Sequence, residues 1–147
     1  MKYKNLSFFQ IFNAMRQYLT SYLDIQENGD ISVLLSALKL DTSRDDWRVK
    51  LWTWDEAIFD DWMRGVNKVL KDFGIDDSPQ SVKYNEEMAF LCMKSFLNFF
   101  YDEVSYQDIA MVLKKINLAN NKNQSSEWRH WLSCIEYAVI NEPNICG

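Results

Sequence analysis

The chain has 147 residues, enough for one domain that buries about two-thirds of the surface its unfolded form would expose. Apolar residues at 48% and charged residues at 25% exclude a wholly disordered chain, and four Gly with two Pro are too few for the many tight turns of an all-β fold. A net charge of −5 argues against nucleic acid as a direct ligand, because phosphate binding needs a surplus of Lys and Arg, whereas it suits a basic protein partner.

In chain order, the first predicted helix runs from about Phe8 to Leu23. Phe8, Phe12, Met15, Leu19 and Tyr22 form one apolar stripe, and Ser7 with Gln10 reads as a capping box. A second helix follows Asp30, with Ile31, Leu34, Leu35 and Leu38 inward. The third carries Trp62, Val66, Val69 and Leu70. Thr53 and Glu56 have capping-box spacing before it, and Gly74 is a C-terminal stop after Phe73. The run DDSPQS at 76–81 is the one linker-like stretch. A fourth helix begins after Asn85, a good N-cap, with Glu86 and Glu87 favoured by the helix dipole and Phe90, Met93, Leu97 and Phe100 as its stripe. A fifth starts near Asp108 with Ile109, Val112, Leu113 and Ile116 inward. A sixth follows a cap at Ser126, with Trp131, Ile135, Ala138 and Val139 as core. Asp30 and Asp108 are assigned to capping.

The two halves repeat one another. At an offset of 78, eight of the 35 positions from 6 to 40 are identical: Phe12, Met15, Leu19, Asp24, Asp30, Ile31, Leu35 and Leu40. Composition alone would give about two or three. An offset of 69 then aligns FDDWMRGV (59–66) with WRHWLSCI (128–135). The expected architecture is all-α: one compact helical domain of two tandem three-helix repeats, 1–75 and 82–147, joined by 76–81 and packed about a pseudo-twofold axis. The first repeat holds nine extra residues before its third helix.

Catalytic chemistry finds little support. His130 is the one histidine, so most triads and zinc sites are excluded, and it reads as a surface or packing residue. No GxGxxG, GxxxxGK[ST], HExxH or GxSxG pattern occurs. Glu56 and Asp60 share a helix face, yet the Glu-x-x-His partners of a di-iron bundle are missing. No catalytic residue, metal or cofactor is expected, and the chain is read as a non-enzyme. Cys92, Cys134 and Cys146 lack CxxC spacing, and the first two fall in apolar helical patterns. With no signal-peptide pattern in MKYKNLSFFQIFNAM and no membrane-spanning run, the expected compartment is the cytoplasm.

Comparing the halves suggests which residues are spare. Trp62 matches Trp131 and Phe59 matches Trp128, so these four are core. Asp60 and Asp61 face Arg129 and His130, so the acids are not needed to build such a helix. Trp47, Trp52 and Trp54 lie in or beside the inserted segment. Together with Asp45, Asp46, Asp55, Glu56, Asp60 and Asp61 they form the expected partner-binding surface, in which indoles supply affinity and charge speeds encounter.

The patterns A-M-x-x-[FY]-L-x-x-Y at 14–22, D-I-x-x-L-L-x-x-L at 30–38, and spaced aromatics ending in D-W-M at 61–63 resemble small bacterial immunity proteins encoded beside polymorphic toxins, especially those of contact-dependent growth inhibition systems. The resemblance is strongest over residues 8 to 70 and recurs, weakened, over 85 to 139. It implies a cytoplasmic protein that binds and neutralises one cognate toxin domain, often a nuclease, with no catalytic residue of its own. The alternative is a helical adaptor or regulatory module with a non-toxin partner. The neighbouring reading frame would separate the two: a large secreted protein with a variable C-terminal domain favours immunity.

Overall fold

A computed structural model describes residues 2–22, 29–39, 55–117 and 126–141, with the side chains of 29 and 30 left out. It is all-helical among the described residues: α1 Phe8–Thr20, α2 Gly29–Ala37, α3 Glu56–Asp72, α4 Glu86–Val104, α5 Gln107–Asn117 and α6 Ser126–Ile140, plus a 3-10 turn at Pro79–Ser81. Among the described residues the one extended pairing is an antiparallel bridge between Leu6 and Tyr84, whose N–H groups each donate to the other's carbonyl at 2.8 and 2.9 Å.

Local rules explain several helix ends. At α1, Ser7 Oγ accepts from Gln10 N at 3.0 Å while Gln10 Oε1 accepts from Ser7 N at 2.9 Å, the reciprocal capping box expected from the sequence. Asn85 caps α4 by accepting from Met88 N. At the end of α3, Gly74 takes φ 70°. Its N–H donates to the Lys71 carbonyl and the Ile75 N–H to the Leu70 carbonyl, so two orphan carbonyls are satisfied in a Schellman motif. The same left-handed conformation ends α4, but there Ser105 adopts it, at φ 53°.

Other ends differ from expectation. The N-cap of α3 is Asp55, whose carboxylate accepts from Ala57 N and Ile58 N; Thr53 lies outside the described residues. Ser126 is the first residue of α6 and not a cap preceding it. Asp108 lies one residue inside α5 and is buried. Val139 is 36% exposed, so the apolar stripe of α6 runs past its covered face. Glu86 does more than favour a helix dipole: it is buried, and Oε1 accepts from the backbone N–H of Lys2 and Tyr3 at 2.9 and 2.8 Å. That latch holds the N-terminal segment beside the Leu6–Tyr84 bridge.

The core is continuous across all six helices. Two long contacts dominate, α3 against α4 and α1 against α6, with α2 meeting α5. The third helix of each half therefore packs on the first helix of the other half. Each contact centres on an indole. Trp62 meets Phe12 and Phe96 at ring distances of 5.6 and 5.8 Å, while Trp131 meets Phe90 and Tyr18 at 5.7 and 6.0 Å. Those rings sit at positions related by the offsets 78 and 69, as do Leu6 and Tyr84.

Candidate functional site

The expected partner-binding residues fall into three groups. Asp45, Asp46, Trp47, Trp52 and Trp54 lie outside the described residues. Asp55, Glu56 and Asp60 are exposed at the start of α3. Four residues apart, Glu56 and Asp60 share one face of the helix. The Asp55 carboxylate is committed to capping, which fixes the origin of that face.

Asp61 is a correction. It is 3% exposed, so it offers nothing to a docking partner. Its Oδ1 lies 3.5 Å from Arg64 Nη1, and the same nitrogen lies 3.5 Å from Glu103 Oε1 on α4. Arg64 in turn stacks over the Phe99 ring at 4.3 Å, which steers the guanidinium toward α4. Burial and the nearby Glu103 carboxylate raise the Asp61 pKa to about 6, against the opposing pull of Arg64. Adjacent residues on a helix diverge by about 100°. The dyad DD at 60–61 is thus split, one acid facing outward and one turned under α4.

The sequence comparison missed a cluster at the start of α6. Tyr18 Oη donates to Glu127 Oε2 at 2.7 Å, Tyr22 Oη donates to the same oxygen at 3.2 Å, and the two phenols lie 3.1 Å apart. His130 stacks on Tyr18 with centroids 4.8 Å apart. Burial, followed by the neighbouring hydroxyl and carboxylate, pushes the Tyr18 pKa up; burial raises that of Tyr22 to about 12. Both phenols are therefore neutral donors at any physiological pH, and the cluster clamps α6 to α1. No group of three or more His, Cys, Asp or Glu suited to a metal exists among the described residues. Burial also raises the thiol pKa of Cys92 and that of Cys134, the latter to about 12, which disfavours the reactive thiolate.

A cleft of about 260 Å³ opens between α1 and the end of α6, lined by Asn13, Arg16, Gln17 and Thr20 on one side and by Tyr137 and Asn141 on the other. The sequence held half of the signal: Asn13, Arg16, Gln17 and Thr20 form a polar stripe at helical spacing. Nothing in the sequence says that α6 faces it.

No helix among the described residues is long and apolar enough to cross a membrane. No family model, curated protein or solved structure matches the chain.

Proposed function

We propose that the chain is a cytoplasmic immunity protein that binds and neutralises a basic toxin domain through the acidic start of α3 and the Trp-rich segment preceding it. The observation that carries this reading is Asp60. It is exposed on the same face as Glu56, and it makes no ion pair among the described residues. The aligned position in α6 is Arg129, also exposed, so folding does not require an acid there. A charge that the fold does not use is available for steering a cationic partner. The matched ring contacts of Trp62 and Trp131 support the companion proposal of a duplicated scaffold, in which one half has diverged for docking.

The test is neutralisation. The chain is co-expressed with the C-terminal domain of the protein encoded by the neighbouring reading frame, and growth and complex formation are followed. Rescue with a stoichiometric complex supports the reading. For Asp60→Lys, association should slow about tenfold at low salt, with helix content unchanged. Unaltered kinetics would remove α3 from the interface, and absence of rescue would remove the immunity assignment.

A further inference from the structure

The α1–α6 cleft has a chemistry opposite to that of the acidic start of α3. Its cation is Arg16, half-buried, whose guanidinium is supported by the Phe12 ring at 5.9 Å. Nε of Arg16 is covered from solvent, yet no acceptor lies within hydrogen-bond distance among the described residues. A covered donor of a permanently charged group is costly to the fold when it lacks an acceptor. Such a cost is retained most readily where a ligand supplies the acceptor.

The surroundings favour an anion. None of the described residues lining the cleft is acidic. Thr20 Oγ1 donates to the Arg16 carbonyl at 2.7 Å and Asn141 Nδ2 to the Tyr137 carbonyl at 3.0 Å, so two lining side chains are held in fixed orientations. The α3–α4 contact shows the arrangement without a cleft. There Leu91, aligned with Asn13, packs against the core, and Lys68, aligned with Tyr137, is neutralised by Asp72 at 3.0 Å. One contact is filled; the other is open and leaves Arg16 Nε without an acceptor among the described residues.

We propose that the α1–α6 cleft binds a small molecule bearing an oxyanion, a carboxylate or a phosphate, received by the Nε edge of the Arg16 guanidinium once the side chain turns that covered donor into the cleft. That edge presents two parallel N–H groups with the spacing of two oxygens on one carbon or phosphorus. The volume is below that of pockets for drug-sized ligands, so the occupant is a small metabolite-sized anion and not a folded partner.

Titration of the full chain with inorganic phosphate and, separately, with succinate at matched ionic strength tests this by NMR. The expected result is a saturable shift of the Arg16 Nε–Hε resonance and of backbone amides near 13–20 and 137–141. A response to phosphate alone assigns a phosphoryl ligand, and a response to succinate alone assigns a carboxylate. Arg16→Lys keeps the charge but loses the fork and should weaken binding about tenfold. Arg16→Gln should abolish it, with circular dichroism reporting that both variants fold. Failure of both anions to give a saturable shift overturns the proposal, as does an undiminished response in Arg16→Gln. Toxin neutralisation by Arg16→Gln separates this site from the acidic face: the variant should still protect.

Discussion

The α3–α4 and α1–α6 contacts use matching rings but are closed by different means. In α3–α4 the backbones come close. A Cβ built on Gly65 would lie 2.6 Å from Phe96 N and 2.9 Å from Phe96 Cα. In α1–α6 the aligned residue is Cys134, and polar bonds join the helices: the phenols of Tyr18 and Tyr22 on Glu127, with Trp131 Nε1 donating to the Glu86 carbonyl of α4 at 3.1 Å. The close contact leaves Trp62 Nε1 and Asp61 Oδ2 covered without a bonding partner among the described residues. The looser contact satisfies its indole but opens a polar cleft. Close approach and polar satisfaction are thus alternative ways of joining the same pair of surfaces, and each leaves its own residue of unmet chemistry.

The most severe way to break the comparison is at Gly65. Gly65→Ala gains about 1 kcal/mol of helix propensity, but its methyl group meets backbone atoms that cannot rotate away. A net loss of about 2 kcal/mol is expected in urea denaturation, and a larger one for Gly65→Val. Cys134→Ala at the aligned site should cost only about 1 kcal/mol, the worth of a small vacated volume. Equal losses would mean that the two contacts are equally close.

Asp61 sharpens the contrast through pH. Its usual pKa of 3.8 becomes about 6 in the fold, chiefly through burial, so folding favours the protonated acid. Its contribution is most favourable below pH 3.8 and is lost as pH rises through about 6. Asn resembles the neutral acid. Asp61→Asn should therefore match the parent near pH 4 and exceed it by about 1–3 kcal/mol at pH 7. A loss of stability at pH 7 would mean that the Arg64 attraction outweighs burial. Because Asp61 is inaccessible, the same variant should leave partner binding intact, unlike Asp60→Lys.

These two sites also mark where sequence reading stops. The capping box at Ser7 and Gln10, the cap at Asn85 and the glycine stop at Gly74 follow from residues within one turn, and all were legible. So were the fold class and the core stripes, Val139 excepted, since periodicity needs no knowledge of partners. The burial of Asp61 was not legible. Residues 60 and 61 read alike in the chain, and only the approach of α4 distinguishes them. Arg16 is the same case: its polar stripe reads as solvated until α6 walls it. Glu86 reads as a helix-start acid, and only the Leu6–Tyr84 bridge brings Lys2 and Tyr3 within its reach. Each depends on contacts between residues at least 39 apart in sequence.

The indoles give a finer test. Trp62→Phe and Trp131→Phe remove similar ring area from similar aromatic surroundings. Trp131→Phe also removes a bond to the Glu86 carbonyl, whereas Trp62 Nε1 has no acceptor to lose among the described residues. Trp131→Phe should be the more destabilising by about 1 kcal/mol. A reversal would show that the indole of Trp62 contributes through packing alone more than its counterpart does with a hydrogen bond.

The smallest expected effect compares two helix ends. α3 and α4 both finish in the left-handed region, through Gly74 at φ 70° and Ser105 at φ 53°. A side chain with a Cβ pays about 1–2 kcal/mol to occupy that region, and glycine does not. Ser105 is exposed, and its N–H donates to the Tyr101 carbonyl at 2.8 Å, a bond that glycine would keep. Against this, glycine adds freedom to the unfolded chain and returns part of the gain. Ser105→Gly should therefore stabilise by about 0.5–1 kcal/mol, seen as a higher melting temperature with unchanged helix content. Gly74→Ser should lose a similar amount. A fall in melting temperature for Ser105→Gly would mean that the serine hydroxyl stabilises the turn into α5 by more than its backbone strain costs.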